Sequence, residues 1–276
     1  LPAMFMARGA SSADAGRYML LAMAGAAIFT AIIMQLGLKG GTPTGKVQKV
    51  SLKQAFQVGI GQGLANPRLL VCYTGSFVAR ADLTLIAVFV SLWLNQAGRN
   101  QGMDAAEALK SAGLMILLIQ GSSVLWAPVA GIMIDRFHRL LCVCGALGVA
   151  GVGYFLLGMQ ENPFTPLGYF SAVLVGIGQM SVILTVTALM GQETPVNVRG
   201  SVISFAGLCG AFGILVTSFV GGFLFDHWMI SGPVVFTGIA NLAVFGMAIW
   251  VWMRDGQPVR FNPAEARSGQ AIDFGH

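Results

Sequence analysis

The chain has 276 residues and a net charge of +5 at pH 7; 55% of its residues are hydrophobic and only 10% are charged. Soluble domains carry about 25% charged residues, so this composition cannot cover a water-facing surface, and the class that remains is a polytopic membrane protein. The positive balance does not point to nucleic acid, because the basic residues sit in short loops between apolar runs rather than in a patch interleaved with aromatic side chains.

Residues 1–17 are mixed and read as the remnant of a preceding helix followed by a loop. From about 18 to 38 runs the first apolar stretch, with Ala22, Ala24, Gly25, Ala26 and Ala27 available for close helix packing. Residues 39–66 form a long polar connection carrying Lys39, Lys46, Lys49 and Lys53. Within it, Ser51 and Gln54 have capping-box spacing. They predict a short amphipathic helix over about 52–64, laid on the membrane surface by Leu52, Phe56, Ile60 and Leu64. Gly40, Gly45 and Lys46 nearly spell a phosphate-binding loop, but Val47 stands where Ser or Thr is required and no strand precedes it. Asn66-Pro67 starts the next helix.

Six further spans are predicted at about 69–94, 112–134, 140–158, 167–190, 201–225 and 233–253, separated by polar breaks at 96–110, 135–139, 160–166, 192–200 and 226–232. The tail from 254 to 276 is polar and is expected to be poorly ordered. The expected fold is all-α, a bundle of seven transmembrane helices divided into residues 1–38, a linker over 39–66, a six-helix bundle over 67–253 and the tail. Eleven Lys and Arg residues fall in one set of alternating loops and the tail, against only Arg99 and Lys110 in the opposite set after the first span. This bias places the linker, the Arg136 and Arg199 loops and the C-terminus in the cytoplasm. Cys72, Cys142, Cys144 and Cys209 all lie in apolar runs and read as small packing residues.

The last six spans divide into two sets of three. The second span of each set ends in Gly-x-x-x-Asp: Gly131 with Asp135, and Gly222 with Asp226, 91 residues apart. Three spans per unit give the two units opposite orientation, the pattern of inverted repeats in secondary transporters. Gly131, Asp135, Arg136 and Arg139 also match the loop motif G-x-x-x-D-R-x-G-R-R, with His138 at its second Gly and Leu140 at its last basic position. With Pro195, Arg199 and Gly200 before the fifth helix and Gly221-Gly222 near its end, the chain resembles the major facilitator superfamily from Arg17 to Trp252. The resemblance implies the last helix of a first six-helix half, the central loop and a complete second half. It also implies a loop over Gly131–Arg139 that acts as a conformational latch, with Asp135, Arg136 and Arg139 pairing with one another, with a helix end or with lipid phosphates.

Charges inside a span are costly and mark function by default. Arg80 and Asp82 fall deep in the second span, about 200° apart around the helix, so they need different partners. They are the leading candidates for substrate contact or proton coupling. Tyr73, Gln120, Gln179 and Ser204 are milder ones, on helices that the resemblance turns toward a central cavity. The spans at 140–158 and 233–253, polar only at Asn241, are expected to be peripheral and to face lipid. Gly207, Gly210 and Gly213 suit a close helix crossing.

The expected activity is alternating-access transport of a small organic solute, proton-coupled as symport or antiport, with no enzymatic activity, cofactor or metal. The alternatives are a non-transporting membrane scaffold or a homodimeric half-transporter. The chain opens on Leu1 and is expected to be the C-terminal part of a longer protein. Its expected partners are the solute, the lipid bilayer and the missing N-terminal half, without nucleic acid. The expected location is a bacterial inner membrane.

Overall fold

The computed structural model describes residues 12–37 and 51–255. Expectations placed on residues 1–11, on the lysines and glycines of 38–50 and on the tail from 256 onward lie outside them. The chain divides into two compact units, residues 1–49 and 50–276. The first contributes α1 (Ser12–Gly37), whose segment Leu20–Gly37 is long and apolar enough to cross a membrane. The helix begins before residue 17, where a loop was expected; Ala13 and Ala15 favour helix there.

The second unit is helical throughout its long elements: α2 (Leu52–Ala65), α3 (Pro67–Leu85), a π-turn (Ile86–Val90), α4 (Ser91–Asn100), α5 (Ala105–Arg136), α6 (Arg139–Gly158), α7 (Pro166–Glu193), α8 (Arg199–His227) and α9 (Gly232–Asp255). Among the described residues, seven segments are long and apolar enough to span a bilayer, with α3, the π-turn and α4 forming one continuous span. That rod of 34 residues is about 50 Å long, well beyond the hydrocarbon core of about 30 Å.

Its length corrects the break expected at 96–110, which shrinks to 101–104. Gly102, at φ 82°, ends α4 in a conformation that favours glycine. Asp104 then caps α5, accepting a hydrogen bond from the Glu107 N–H at 2.7 Å. The polar residues on either side extend both helices, while Trp93, Leu94 and Ala97 keep a buried stripe against the start of α5.

The sequence-level caps form as expected. Ser51 and Gln54 complete a reciprocal capping box at α2. Asn66 caps α3 by accepting from the Arg68 N–H at 3.0 Å, with Pro67 at the first helical position. α2 packs on the bundle through its glycines. Gly59 and Gly63 are buried against Phe205 of α8 and Tyr73 of α3, so close that a Cβ at either glycine would lie 2.5 Å from the ring or its Cβ. Phe56 touches the Phe205 ring edge-on but stays 47% exposed, and Leu64 is 77% exposed. Phe56 and Leu64 thus keep much of their apolar surface outward. Residues 52–65 fall within the second compact unit.

The helix contacts obey the two-fold relation of an inverted repeat. α3 packs on α8 as α7 packs on α5, and α3 packs on α9 as α7 packs on α6. The self-related contacts, α3 with α7 and α6 with α9, lie on the axis of the pseudo-symmetry. Close approach is set by glycine. A Cβ on Gly176 would strike the Ile119 carbonyl, one on Gly178 would strike Ala150, and one on Gly213 would strike the Phe77 carbonyl. Gly210 seats the side-chain stem of Arg80, whereas Gly207 has open space beside it. Hydroxyls stitch α5 to α7: Ser123 donates to the Gly176 carbonyl at 2.8 Å, and the Trp126 indole N–H donates to Ser181 at 2.9 Å.

The distribution of burial differs from the sequence reading. The span in α6, expected to face lipid, is 61% buried, while those in α5 and α8 are 17% and 22% buried. Gly151, Gly153 and Gly158 draw α6 tightly between α7 and α9, so its lack of polar residues reflects an apolar interior. α5 and α8 instead turn large residues such as Leu125 and Phe219 outward.

Candidate functional site

Two of the sequence candidates fall on opposite walls of one helix. Asp82 and Arg80 both lie on α3, and their angular separation sends them to different neighbours, as the helical period requires.

The Arg80 side is open. A cavity of about 540 Å³ lies between α3, α7 and α8, with Ser76, Arg80, Thr187, Met190, Ile203 and Gly207 in its walls. Arg80 is exposed and makes no ion pair among the described residues. It is the one charged residue lining this cavity. Thr187 donates its hydroxyl to the Ile183 carbonyl at 2.7 Å, which leaves its methyl and an oxygen lone pair available to the space.

The Asp82 side is closed. Asp82 is fully buried, and its Oδ1 accepts a hydrogen bond from the Asn241 Nδ2 of α9 at 3.0 Å. Asn241 is also fully buried, and the same Nδ2 donates to the Thr237 carbonyl at 3.0 Å. Tyr154 of α6 lies near Asp82 and is also fully buried.

The other candidates divide. Tyr73 is buried, and its hydroxyl donates to the Gly59 carbonyl at 2.8 Å, holding α2 rather than facing the cavity. Gln179 is buried on α7, with its Oε1 unpaired. Gln120 on α5 and Ser204 on α8 are exposed, and neither lines the cavity beside Arg80.

The latch residues sit at one end of the bundle. Gly131 has open space beside it, and Asp135 and Arg136 are exposed, so Arg139 alone among them reaches inward. Its guanidinium donates to the Ala188 carbonyl near the end of α7 at 3.0 Å. Arg199 of α8 donates to the Gly191 carbonyl at 3.1 Å. Arg68 of α3 lies 3.5 Å from Glu193, which also accepts from Asn66 at 3.1 Å. Three arginines from three helices therefore converge on the last turns of α7, where the helix dipole is negative. Sequence reasoning missed this convergence, although Glu193 at the end of a span was a visible signal. Gly222 and Asp226, the repeat-related pair, lie at the opposite end; a Cβ at Gly222 meets nothing, and Asp226 is exposed.

The comparisons with known proteins agree with this architecture. The family model described as Major Facilitator Superfamily matches residues 72–274. Magnetosome protein MamH of Paramagnetospirillum magneticum is 30% identical over 207 residues, 75% of this chain and 48% of that protein. Multidrug resistance protein MdtG of Yersinia enterocolitica is 27% identical over 190 residues, 68% of this chain and 44% of that protein. Among solved structures, the proton:xylose symporter XylE of E. coli, bound to 6-bromo-6-deoxy-D-glucose, superposes with a TM-score of 0.57 at 17% identity. That match covers 69% of this chain and 46% of the symporter, and it speaks to the fold alone. The chain spans about half the length of these curated relatives. With the two-fold helix packing and the family match together, the chain belongs to the major facilitator superfamily.

Proposed function

We propose that this chain is the C-terminal part of a secondary transporter that moves a small organic solute by alternating access, coupled to protons, in a bacterial inner membrane with its C-terminus in the cytoplasm. The observation that carries the reading is the cavity between α3, α7 and α8, walled by apolar side chains and marked by the unpaired Arg80. A cation inside a span is costly, and an acceptor group on a passing solute offsets that cost. The fitting solute class therefore presents a carboxylate or another strong acceptor to Arg80, with an apolar body against Met190 and Ile203.

The exposed apolar faces of α5 and α8 support an N-terminal half that closes the cavity from the other side. The arginines gathered at the end of α7 support a latch that holds one orientation of the rocking bundle. Arg139 is the member of the Gly131–Arg139 loop that makes the contact. A small organic solute is in keeping with one named relative, a multidrug resistance protein.

The test is solute movement in proteoliposomes holding the full-length protein, with panels of organic acids, sugars and lipophilic cations. The reading expects saturable movement of one class, driven by a proton gradient and lost in Arg80→Gln with the protein still folded. Movement that persists when the proton gradient is collapsed removes the coupling. An Arg80→Gln variant that transports at the wild-type rate removes Arg80 from the solute path.

A further inference from the structure

The contact between Asp82 and Asn241 contains an imbalance that one proton resolves. Asn241 Nδ2 already gives hydrogen bonds to Asp82 Oδ1 and to the Thr237 carbonyl. A flipped amide would set Asn241 Oδ1 against the Thr237 carbonyl, acceptor facing acceptor, so the surroundings favour this amide orientation. The other oxygen of each group, Asp82 Oδ2 and Asn241 Oδ1, is buried and has no partner. An ionised carboxylate and an amide carbonyl are both pure acceptors. Left so, two lone-pair oxygens on groups already joined by one bond stay unsatisfied in an apolar interior, which is the costly arrangement for buried polar atoms.

We propose that Asp82 is held here as the neutral acid, in a cyclic carboxylic acid–carboxamide pair with Asn241, and that its proton fastens α3 to α9. The acid O–H on Oδ2 donates to Asn241 Oδ1 while Asn241 Nδ2 donates to Asp82 Oδ1, and both unpaired atoms are satisfied by one bond. The surroundings suit a neutral group. Among the described residues no charged side chain forms an ion pair with Asp82. From α6 the facing titratable group is Tyr154, whose buried hydroxyl is itself unpaired. From α9 come Asn241 and Thr237, neither of which titrates, and Thr237 gives its hydroxyl to the Pro233 carbonyl at 3.0 Å. On α3 itself, Arg80 lies on the far wall against Gly210.

In a conformation that admits water to Oδ2, release of the proton to that water leaves a carboxylate that still accepts from Nδ2 but repels Oδ1. Proton loss therefore loosens the α3–α9 contact without breaking it. As a device for coupling, this rests on the transport reading above; as a chemical state of the pair, it does not. The proton site is then separated from the solute cavity by the thickness of α3.

Infrared difference spectroscopy of the full-length protein in membranes at neutral pH tests the chemical state. The expected result is a protonated-carboxyl C=O band that shifts in D2O, vanishes in Asp82→Asn and moves to higher frequency in Asn241→Leu, where its amide partners are gone. Carboxylate bands alone, or a carboxyl band untouched by Asp82→Asn, overturn the proposal. Thermal unfolding gives a second reading. Asp82→Asn keeps an amide–amide pair with both bonds and is expected to unfold at the wild-type temperature, while Asp82→Leu unfolds lower; an Asp82→Asn variant as unstable as Asp82→Leu contradicts the pair. If the band is present but solute movement ignores the proton gradient, the pair stands and the coupling reading falls.

Discussion

Arg80 and Asp82 are two residues apart on α3, yet they meet opposite environments. Arg80 stands exposed in a cavity of about 540 Å³, with no ionic partner among the described residues. Asp82 is fully buried against Asn241, with no ion pair among the described residues. A helix that is polar on one wall and packed on the other can carry a charge where water or solute arrives and a proton-bearing group where neither does. The difference teaches that position along a span does not by itself assign a role to a membrane carboxylate; which neighbour the helical period points it at does.

The comparison breaks most visibly under charge reversal. Asp82→Lys puts a cation where no partner waits and is expected to cost about 3 kcal/mol, enough to abolish the monodisperse peak in size-exclusion chromatography. Arg80→Glu, facing the cavity, keeps that peak. A smaller effect comes from Asn241→Leu, which removes the donor to Asp82; leaving a buried polar group unsatisfied costs about 2 kcal/mol, read as a lowered thermal midpoint in detergent. Equal midpoints for Asn241→Leu and wild type would mean that the α3–α9 bond contributes nothing. The smallest expected effect concerns how closely α8 approaches α3. Gly213→Ala pushes a methyl into the Phe77 carbonyl and is expected to lower stability by about 1 to 2 kcal/mol. Gly207→Ala, with open space beside it, leaves stability unchanged, and the same pair of variants made in any full-length background sharpens which glycines set the crossing.

Much of the architecture was legible because it is written in local patterns. The spans follow from apolar runs, and Ser51, Asn66 and Pro67 mark helix starts by hydrogen-bonding needs that involve three or four residues. The opposite walls of Arg80 and Asp82 follow from helical geometry alone. The Gly-x-x-x-Asp echo pointed to a repeat, and the packing of α3 on α8 and of α7 on α5 has that two-fold form.

What was not legible depends on which helix lies beside which. Asn241 is 159 residues from Asp82, and no periodicity in either span names the other. α6 read as lipid-facing because it lacks polar groups, but an apolar helix suits a protein interior as well as lipid, and its glycines decide in favour of the interior. α2 was legible as an amphipathic helix, but its packing on the bundle through Gly59 and Gly63 was not, since only the neighbouring rings of Phe205 and Tyr73 show why bulk is excluded there. The arginine cluster at the end of α7 gathers residues from three helices, so only the folded end of the bundle reveals it.

The most direct test of the account is thiol accessibility on the two sides of α3. In the full-length protein with its native cysteines replaced, Thr187→Cys lies in the wall of the Arg80 cavity and Thr237→Cys lies in the buried Asp82 neighbourhood, where Thr237 is 2% exposed. A membrane-impermeant, water-soluble maleimide is predicted to label Thr187→Cys and to leave Thr237→Cys unmodified. Labelling of Thr237→Cys at an equal or faster rate would contradict the separation of an open solute path from a dry proton-bearing interior.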